Sequence, residues 1–143
     1  MRRFLLAFAL AFATATVIAA PDADTADKAA NNGFEMLHAA NLKSALDQGE
    51  AIRVYDANSR DTYDDGHLPG ATWVESDSLT AGVLPAEKDA KLVFYCANEM
   101  CMASHFAAKQ ALALGYTDVH VMPEGIQGWK KAGYPVERGA ATN

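Results

Sequence analysis

Both cysteines of the chain fall in one stretch, FYCANEMCMASH, where Cys96 and Cys101 stand five positions apart and a methionine flanks Cys101 on each side. No other segment combines so many soft, reactive side chains. Three kinds of chemistry use such a pair. It can be a structural disulfide, a thiolate clip for a metal, or a nucleophilic thiolate with a second thiol that resolves it. The elements around the pair must narrow these alternatives.

The chain has 143 residues, 50% hydrophobic and 21% charged, enough for one globular domain with its own core. A domain of this size does not need a disulfide framework, and two cysteines are too few to make one. The 12 basic residues are outnumbered by 18 acidic ones, and no basic run follows the first residues. Nucleic acid is therefore not an expected partner.

The N-terminus carries the pattern of a Sec-type signal peptide. Arg2 and Arg3 precede an uncharged apolar run from Phe4 to Ile18, and small residues follow before Pro21. Residues 1–19 are the expected signal peptide, cut after Ala19, and residues 20–32 a flexible leader. The run is short for a membrane span, so no stable membrane insertion is expected after cleavage. Export would place the protein in the periplasm, with secretion as the alternative, and in either case in oxidising surroundings where free thiols are notable. Residues 33–138 form the expected domain and residues 139–143 a C-terminal tail.

Along the domain, strand and helix patterns alternate. Asn41 can cap a helix running through Asp47, ended by Gly49. Ile52, Val54 and Tyr55 suit a strand ending at Asp56, and residues 59–65 a turn of helix. Thr72 to Val74 resumes extended structure, and residues 75–89 read as loop. KLVFYC, from Lys91 to Cys96, is the best central-strand pattern. From Met102 to Leu114, Ala103, Phe106, Ala107, Ala111 and Leu114 recur at helical spacing, and Gly115 ends the run. DVHVM suits another strand and EGIQGWKKAG a final short helix that buries Trp129. The alternation predicts an α/β fold of three layers, with a mostly parallel sheet flanked by helices. In such folds the site lies beyond the carboxyl ends of the strands. Cys96 and Asp56 both sit there.

Only a short loop, Ala97, Asn98, Glu99, Met100, Cys101 and Met102, separates the cysteine strand from the next helix. Such a loop turns backbone N–H groups inward, and with the helix N-terminus they favour an anion at its centre. Cys96 is placed to use them, so its thiolate is expected to be favoured and reactive.

Two longer stretches, VYDANSRDTYDDGHLPGATWV and VFYCANEMCMASHFAAKQALALGYTDVHVMPEGIQGWKKAGYPV, resemble a single-domain rhodanese. Asp56 and the run Gly66, His67, Leu68, Pro69, Gly70 and Ala71 are similar to one signature of the family. The cysteine loop, Leu114-Gly115-Tyr116 and Gly125 to Trp129 are similar to another. The resemblance covers roughly residues 33 to 137. It implies that Cys96 accepts a sulfur atom as a persulfide, held by the backbone amides of residues 97–102, and passes it to a thiol or protein-thiol acceptor. It implies a small sulfur donor and no metal or organic cofactor.

Two departures qualify that expectation. Asn58 stands where the family carries an arginine, with Arg60 nearby. The loop has Glu99 inside it and Cys101 where a cation is common. A carboxylate in place of a cation disfavours a dianionic donor by about 1 kcal/mol or more. Efficient thiosulfate turnover is therefore not expected, and a less charged donor is. The missing arginine likewise disfavours a phosphatase. Residues five apart in a curled turn can reach disulfide distance, so Cys101 could attack a persulfide or sulfenate on Cys96. The pair then reads as nucleophile and resolving thiol. A dithiol–disulfide redox partner, and a non-enzymatic module binding a protein or Cu(I) through the cysteines, His105, Met100, Met102 and Met122, remain as alternatives. His67 reads as a structural histidine beside a turn, Asp56 as an orienting or structural carboxylate, and Trp73 and Trp129 as core.

Overall fold

The computed structural model describes residues 33–139. The expected signal peptide, the leader and residues 140–143 of the expected tail lie outside that range. Five strands, β1 (Glu35–Met36), β2 (Ile52–Asp56), β3 (Thr72–Trp73), β4 (Lys91–Tyr95) and β5 (Val119–Val121), form one sheet in the order β1-β5-β4-β2-β3. Every pairing is parallel. Four helices cover it: α1 (Ala39–Asp47), α2 (Arg60–Asp65), α3 (Ala103–Ala113) and α4 (Gly125–Lys131).

The sheet is buried on both faces, as a parallel sheet requires. Alternation along β4 divides its side chains between two cores. Leu92 and Phe94 pack with Cys96 and with Ala107, Ala108 and Ala111 of α3. Val93 and Tyr95 pack with Leu42 of α1 and with Ile126 and Trp129 of α4. The three layers match the sequence-based expectation, and KLVFY is the central strand.

Three expectations need correction. The first helix starts at Ala39 with His38 at its N-cap position, not at Asn41. A distant carboxylate does the capping: Glu124 accepts a hydrogen bond of 3.2 Å from the Ala39 amide and one of 2.7 Å from His38 Nδ1. The buried face of α3 runs through Ser104, Ala107, Ala108 and Ala111, leaving Phe106 56% exposed. An alanine-rich helix offers several stripes of similar hydrophobicity, so Phe106 gave the wrong phase. Trp73 is only half-buried; its indole N–H donates to the Asn58 carbonyl at 2.8 Å.

The strand β1 has no pattern in the sequence because two residues are too few to show one. Parallel pairing with β5, Glu35 against His120 and Met36 against Val121, defines it. No helix among the described residues is long and apolar enough to cross a membrane.

Candidate active site

Cys96 directly follows β4, the central strand, and is 1% exposed. The pitch of the strand turns its side chain toward α3, into the same core as Phe94. Asp56 pairs with Tyr95 in the β2–β4 register, one position earlier, so its side chain belongs to the opposite face. The two strand ends are adjacent, yet the carboxylate does not reach the sulfur side.

The loop that carries the cysteines is fastened to α4. The Ile126 amide donates to the Cys96 carbonyl at 2.8 Å, and the Gln127 amide to the Ala97 carbonyl at 3.0 Å. In a trans peptide each carbonyl points opposite to the next N–H. Holding those two carbonyls on α4 therefore aims the N–H groups of Ala97 and Asn98 away from it. Gly125 makes the fastening possible. Its φ is +60°, and a Cβ there would lie 2.5 Å from the carbonyl carbon of Ala97 and 2.6 Å from the amide nitrogen of Asn98.

Asn98 organises the rest of the turn. Its Oδ1 accepts from the Met100 amide at 3.0 Å, its carbonyl from the Cys101 amide at 3.0 Å, and its Nδ2 donates to Gln127 at 3.1 Å. The N–H groups of Ala97, Asn98, Glu99 and Met102 make no hydrogen bond to protein among the described residues.

The structure joins Cys96 and Cys101 in a disulfide, with Cα atoms 6.2 Å apart. In this oxidised form the backbone amides of residues 97–102 do not surround the Cys96 sulfur, as the sequence had suggested. Sγ lies toward α3, 3.2 Å from the Cys101 carbonyl oxygen and 3.3 Å from Ser104 Oγ. Cys101 is half-buried, so it is the more accessible of the two sulfurs.

The remaining loop residues divide clearly. Glu99, Met100 and Met102 are exposed, Met100 at 90%. Glu99 and Met100 line a groove of about 650 Å³ with Asn98, Glu124, Gln127 and Lys131; neither cysteine reaches it. Met122 is buried in the opposite core with Trp129 and does not join the other methionines.

The supporting residues surround the strand ends rather than the sulfur. Asp56 is fully buried and its Oδ1 accepts from the amide and the side chain of Asn58, both at 2.8 Å. Burial raises its carboxyl above the usual carboxylate range, against the lowering effect of the Tyr95 hydroxyl and of Asn58. Arg60 lies over the rings of Tyr63 and Trp73 and pairs with Asp64 at 3.3 Å, so its charge is spent on α2. His67 stacks on Tyr63 at a centroid distance of 3.8 Å, and its Nδ1–H donates to the Tyr63 carbonyl at 2.8 Å. Its backbone bridges to Glu137. It ties the C-terminal segment to the turn and is a structural histidine.

Sequence reasoning missed Ser104 and Glu124, and it placed Gly125 in the run to Trp129 without its close approach to the cysteine loop. Ser104 carried a signal: it is the polar member of the alanine stripe at 104, 107, 108 and 111. Glu124 carried none, because its partners His38 and Ala39 are distant in sequence.

Comparisons with known proteins agree with this architecture. Residues 38–132 match the rhodanese-like domain family. The chain is 24% identical to the thiosulfate sulfurtransferase GlpE of Pseudoalteromonas translucida over 69% of its own length and 91% of that protein's. It is 29% identical over 71% of its length to the HTH-type transcriptional regulator Rv0324 of Mycobacterium tuberculosis, of which it spans only 44%. Among solved structures, the rhodanese-like domain of the Alr3790 protein from Anabaena superposes with a TM-score of 0.64 at 30% identity, covering 72% of this chain and 78% of that one. With its parallel sheet, its cysteine at the end of the central strand and a family match over most of the domain, the chain belongs to the rhodanese-like domain family.

Proposed function

We propose that this protein is a rhodanese-like sulfurtransferase or persulfide carrier in which Cys96 accepts sulfur and Cys101 resolves it. One observation carries the reading: a cysteine ends the central strand in a turn whose carbonyls are held by α4, leaving several loop amides without protein acceptors. Reduction separates the two sulfurs and frees the Cys96 side chain to turn toward those amides. Their N–H dipoles favour the thiolate, the form that attacks.

The chemistry balances at each step. The Cys96 thiolate attacks the outer sulfur of a donor, forming a Cys96 persulfide and expelling the donor's remaining anion. An acceptor thiolate takes the outer sulfur and returns Cys96 to its thiolate. When no acceptor is at hand, the Cys101 thiolate attacks Cys96 Sγ, expels hydrosulfide and closes the disulfide. An external thiol reopens it, attacking the more exposed Cys101 and leaving Cys96 as the thiolate, and a second thiol then frees Cys101 by carrying off the first as a disulfide.

The donor class follows from charge. The cysteine loop itself carries the carboxylate of Glu99 and no lysine or arginine. Arg60, the arginine near Asn58, is engaged on α2. A dianion such as thiosulfate meets a net negative approach, so a polysulfide, a mercaptopyruvate-like donor or a protein persulfide fits better. We assign the protein to the periplasm, where a dithiol with a closed resting form suits an oxidising surrounding.

Incubating the reduced full chain with thiosulfate, mercaptopyruvate or polysulfide, and following sulfur release to a thiol acceptor, tests the reading. Release from polysulfide or mercaptopyruvate, at least tenfold faster than from thiosulfate and lost in Cys96→Ser, is expected. No release from any donor would overturn it.

A further inference from the structure

We propose that Ser104 is a third catalytic group of the sulfur site, donating its hydroxyl hydrogen to the Cys96 sulfur, and that His105 positions that hydroxyl. The inference deepens the reading above and rests on Cys96 as the nucleophile. Ser104 is 2% exposed on the second residue of α3, on a face otherwise made of alanine. A hydroxyl buried there costs stability unless it is hydrogen-bonded. Its Oγ has two neighbours: Cys96 Sγ at 3.3 Å and His105 Nδ1 at 3.5 Å.

A serine hydroxyl has one hydrogen and two lone pairs. In the Nδ1–H tautomer His105 donates to Ser104 Oγ, and the single hydroxyl hydrogen is left for sulfur. The charged imidazolium is disfavoured: burial lowers the His105 pKa from the ordinary histidine value, and Lys109, one turn along α3, lowers it further. The ring is held edge-on by Phe34, with centroids 5.4 Å apart and planes at 79°. Phe34 precedes β1 and brings no charge, and Glu99 in the loop is exposed, so Lys109 is the charge that acts on this histidine.

The hydrogen bond has different value in different states of the cycle. A disulfide sulfur is a weak acceptor, whereas a thiolate is a strong one. Ser104 therefore favours the state in which Cys96 carries the negative charge. That state is the attacking nucleophile, and it is also the leaving group when an external thiol opens the disulfide at Cys101. The hydroxyl offers its hydrogen without transferring it. It holds the thiolate against α3 as the disulfide opens, and the loop amides take it over once the side chain turns.

The test is a thiol titration in the full chain carrying Cys101→Ser, which leaves Cys96 as the sole thiol, read by the ultraviolet absorbance of the thiolate. Adding Ser104→Ala is expected to raise the Cys96 pKa by about one unit or more, the scale of a hydrogen bond to a charged group. Ser104→Thr, which keeps the hydroxyl, should return it toward the parent value. His105→Leu should raise it less than Ser104→Ala, because the 3.5 Å contact is long. His105→Asn, which places an amide donor near the Nδ1 position, should restore it. Equal Cys96 pKa values in the parent and Ser104→Ala would overturn the role of Ser104. Identical titrations of His105→Leu and His105→Asn would overturn that of His105. Sulfur uptake from polysulfide by the same proteins separates the two proposals. Absence of uptake in every variant, with the pKa shifts intact, would defeat the sulfurtransferase reading alone.

Discussion

The Ile126 amide holds the Cys96 carbonyl at 2.8 Å, so the first turn of α4 fixes the backbone of the residue that carries the reactive sulfur. This contact joins a helix that buries Trp129 to a turn that makes no apolar core of its own. The rigidity of the site is borrowed from the packing of α4.

Gly125→Ala is expected to break that arrangement. The new methyl group would lie 2.6 Å from the Ala97 carbonyl oxygen, at a backbone φ of +60° that L residues rarely adopt. Strain at such a position alone costs about 1–3 kcal/mol, and backbone atoms cannot move aside as a side-chain tip can. Urea denaturation should show a loss of at least about 2 kcal/mol. Sulfur uptake should fall further than stability explains. A stability change under about 0.5 kcal/mol would contradict the tight approach.

Glu124 gives a pH dependence with a defined sign. Burial by itself raises its carboxyl, but His38 and the Ala39 amide outweigh that effect, and the folded pKa is lowered. A group lowered on folding adds stability above its unfolded pKa and loses it as pH falls through the folded value. Glu124→Gln should therefore lower the thermal midpoint at neutral pH, and the gap from wild type should shrink below the ordinary glutamate range. Melting curves across acidic pH check it. A gap that widens with acid would reverse the assignment.

Asn98 is expected to control how easily the loop opens. Its side chain makes two of the contacts that shape the turn. Asn98→Ala should cost about 1–2 kcal/mol of stability. It should also speed opening of the Cys96–Cys101 disulfide by a small thiol severalfold, measured by trapping free thiols over time. An unchanged rate would show that the turn is held by α4 alone.

The unequal exposure of the two sulfurs predicts where a partner thiol attaches. Cys96 is 1% exposed and Cys101 half-buried. A brief pulse of glutathione on the oxidised protein, quenched with acid, should leave the mixed disulfide on Cys101 by peptide mass mapping. Predominant attachment to Cys96 would contradict the proposed order of attack.

The sequence made some of this legible. KLVFYC stood out as a central strand because every position of it is apolar or aromatic after Lys91, and a strand covered on both faces needs that. The turn of Gly66 to Ala71 and the helix at Trp129 were visible for similar local reasons. The start of α1 was not, because its cap is Glu124, supplied from the start of α4 on the same side of the sheet rather than by Asn41. The orientation of Asp56 was readable in principle from its register against Tyr95, but pairing register is a tertiary fact. Proximity of the strand ends left Asp56 open between an orienting and a structural role, and its side chain belongs to the face opposite the sulfur. The amide ring expected around Cys96 depends on a side-chain rotation that the disulfide prevents. Phe106 and Ser104 show how an alanine-rich helix hides its phase until the sheet selects one face.

The central claim is that Cys96 receives the sulfur atom and Cys101 removes it. Peptide mass mapping after a short exposure of the reduced full chain to polysulfide measures this directly. The account predicts one added sulfur on the Cys96 peptide, lasting in Cys101→Ser and giving way to the Cys96–Cys101 disulfide in the wild type. Sulfur found on Cys101 with Cys96 unmodified, or no added sulfur on either peptide, would contradict it.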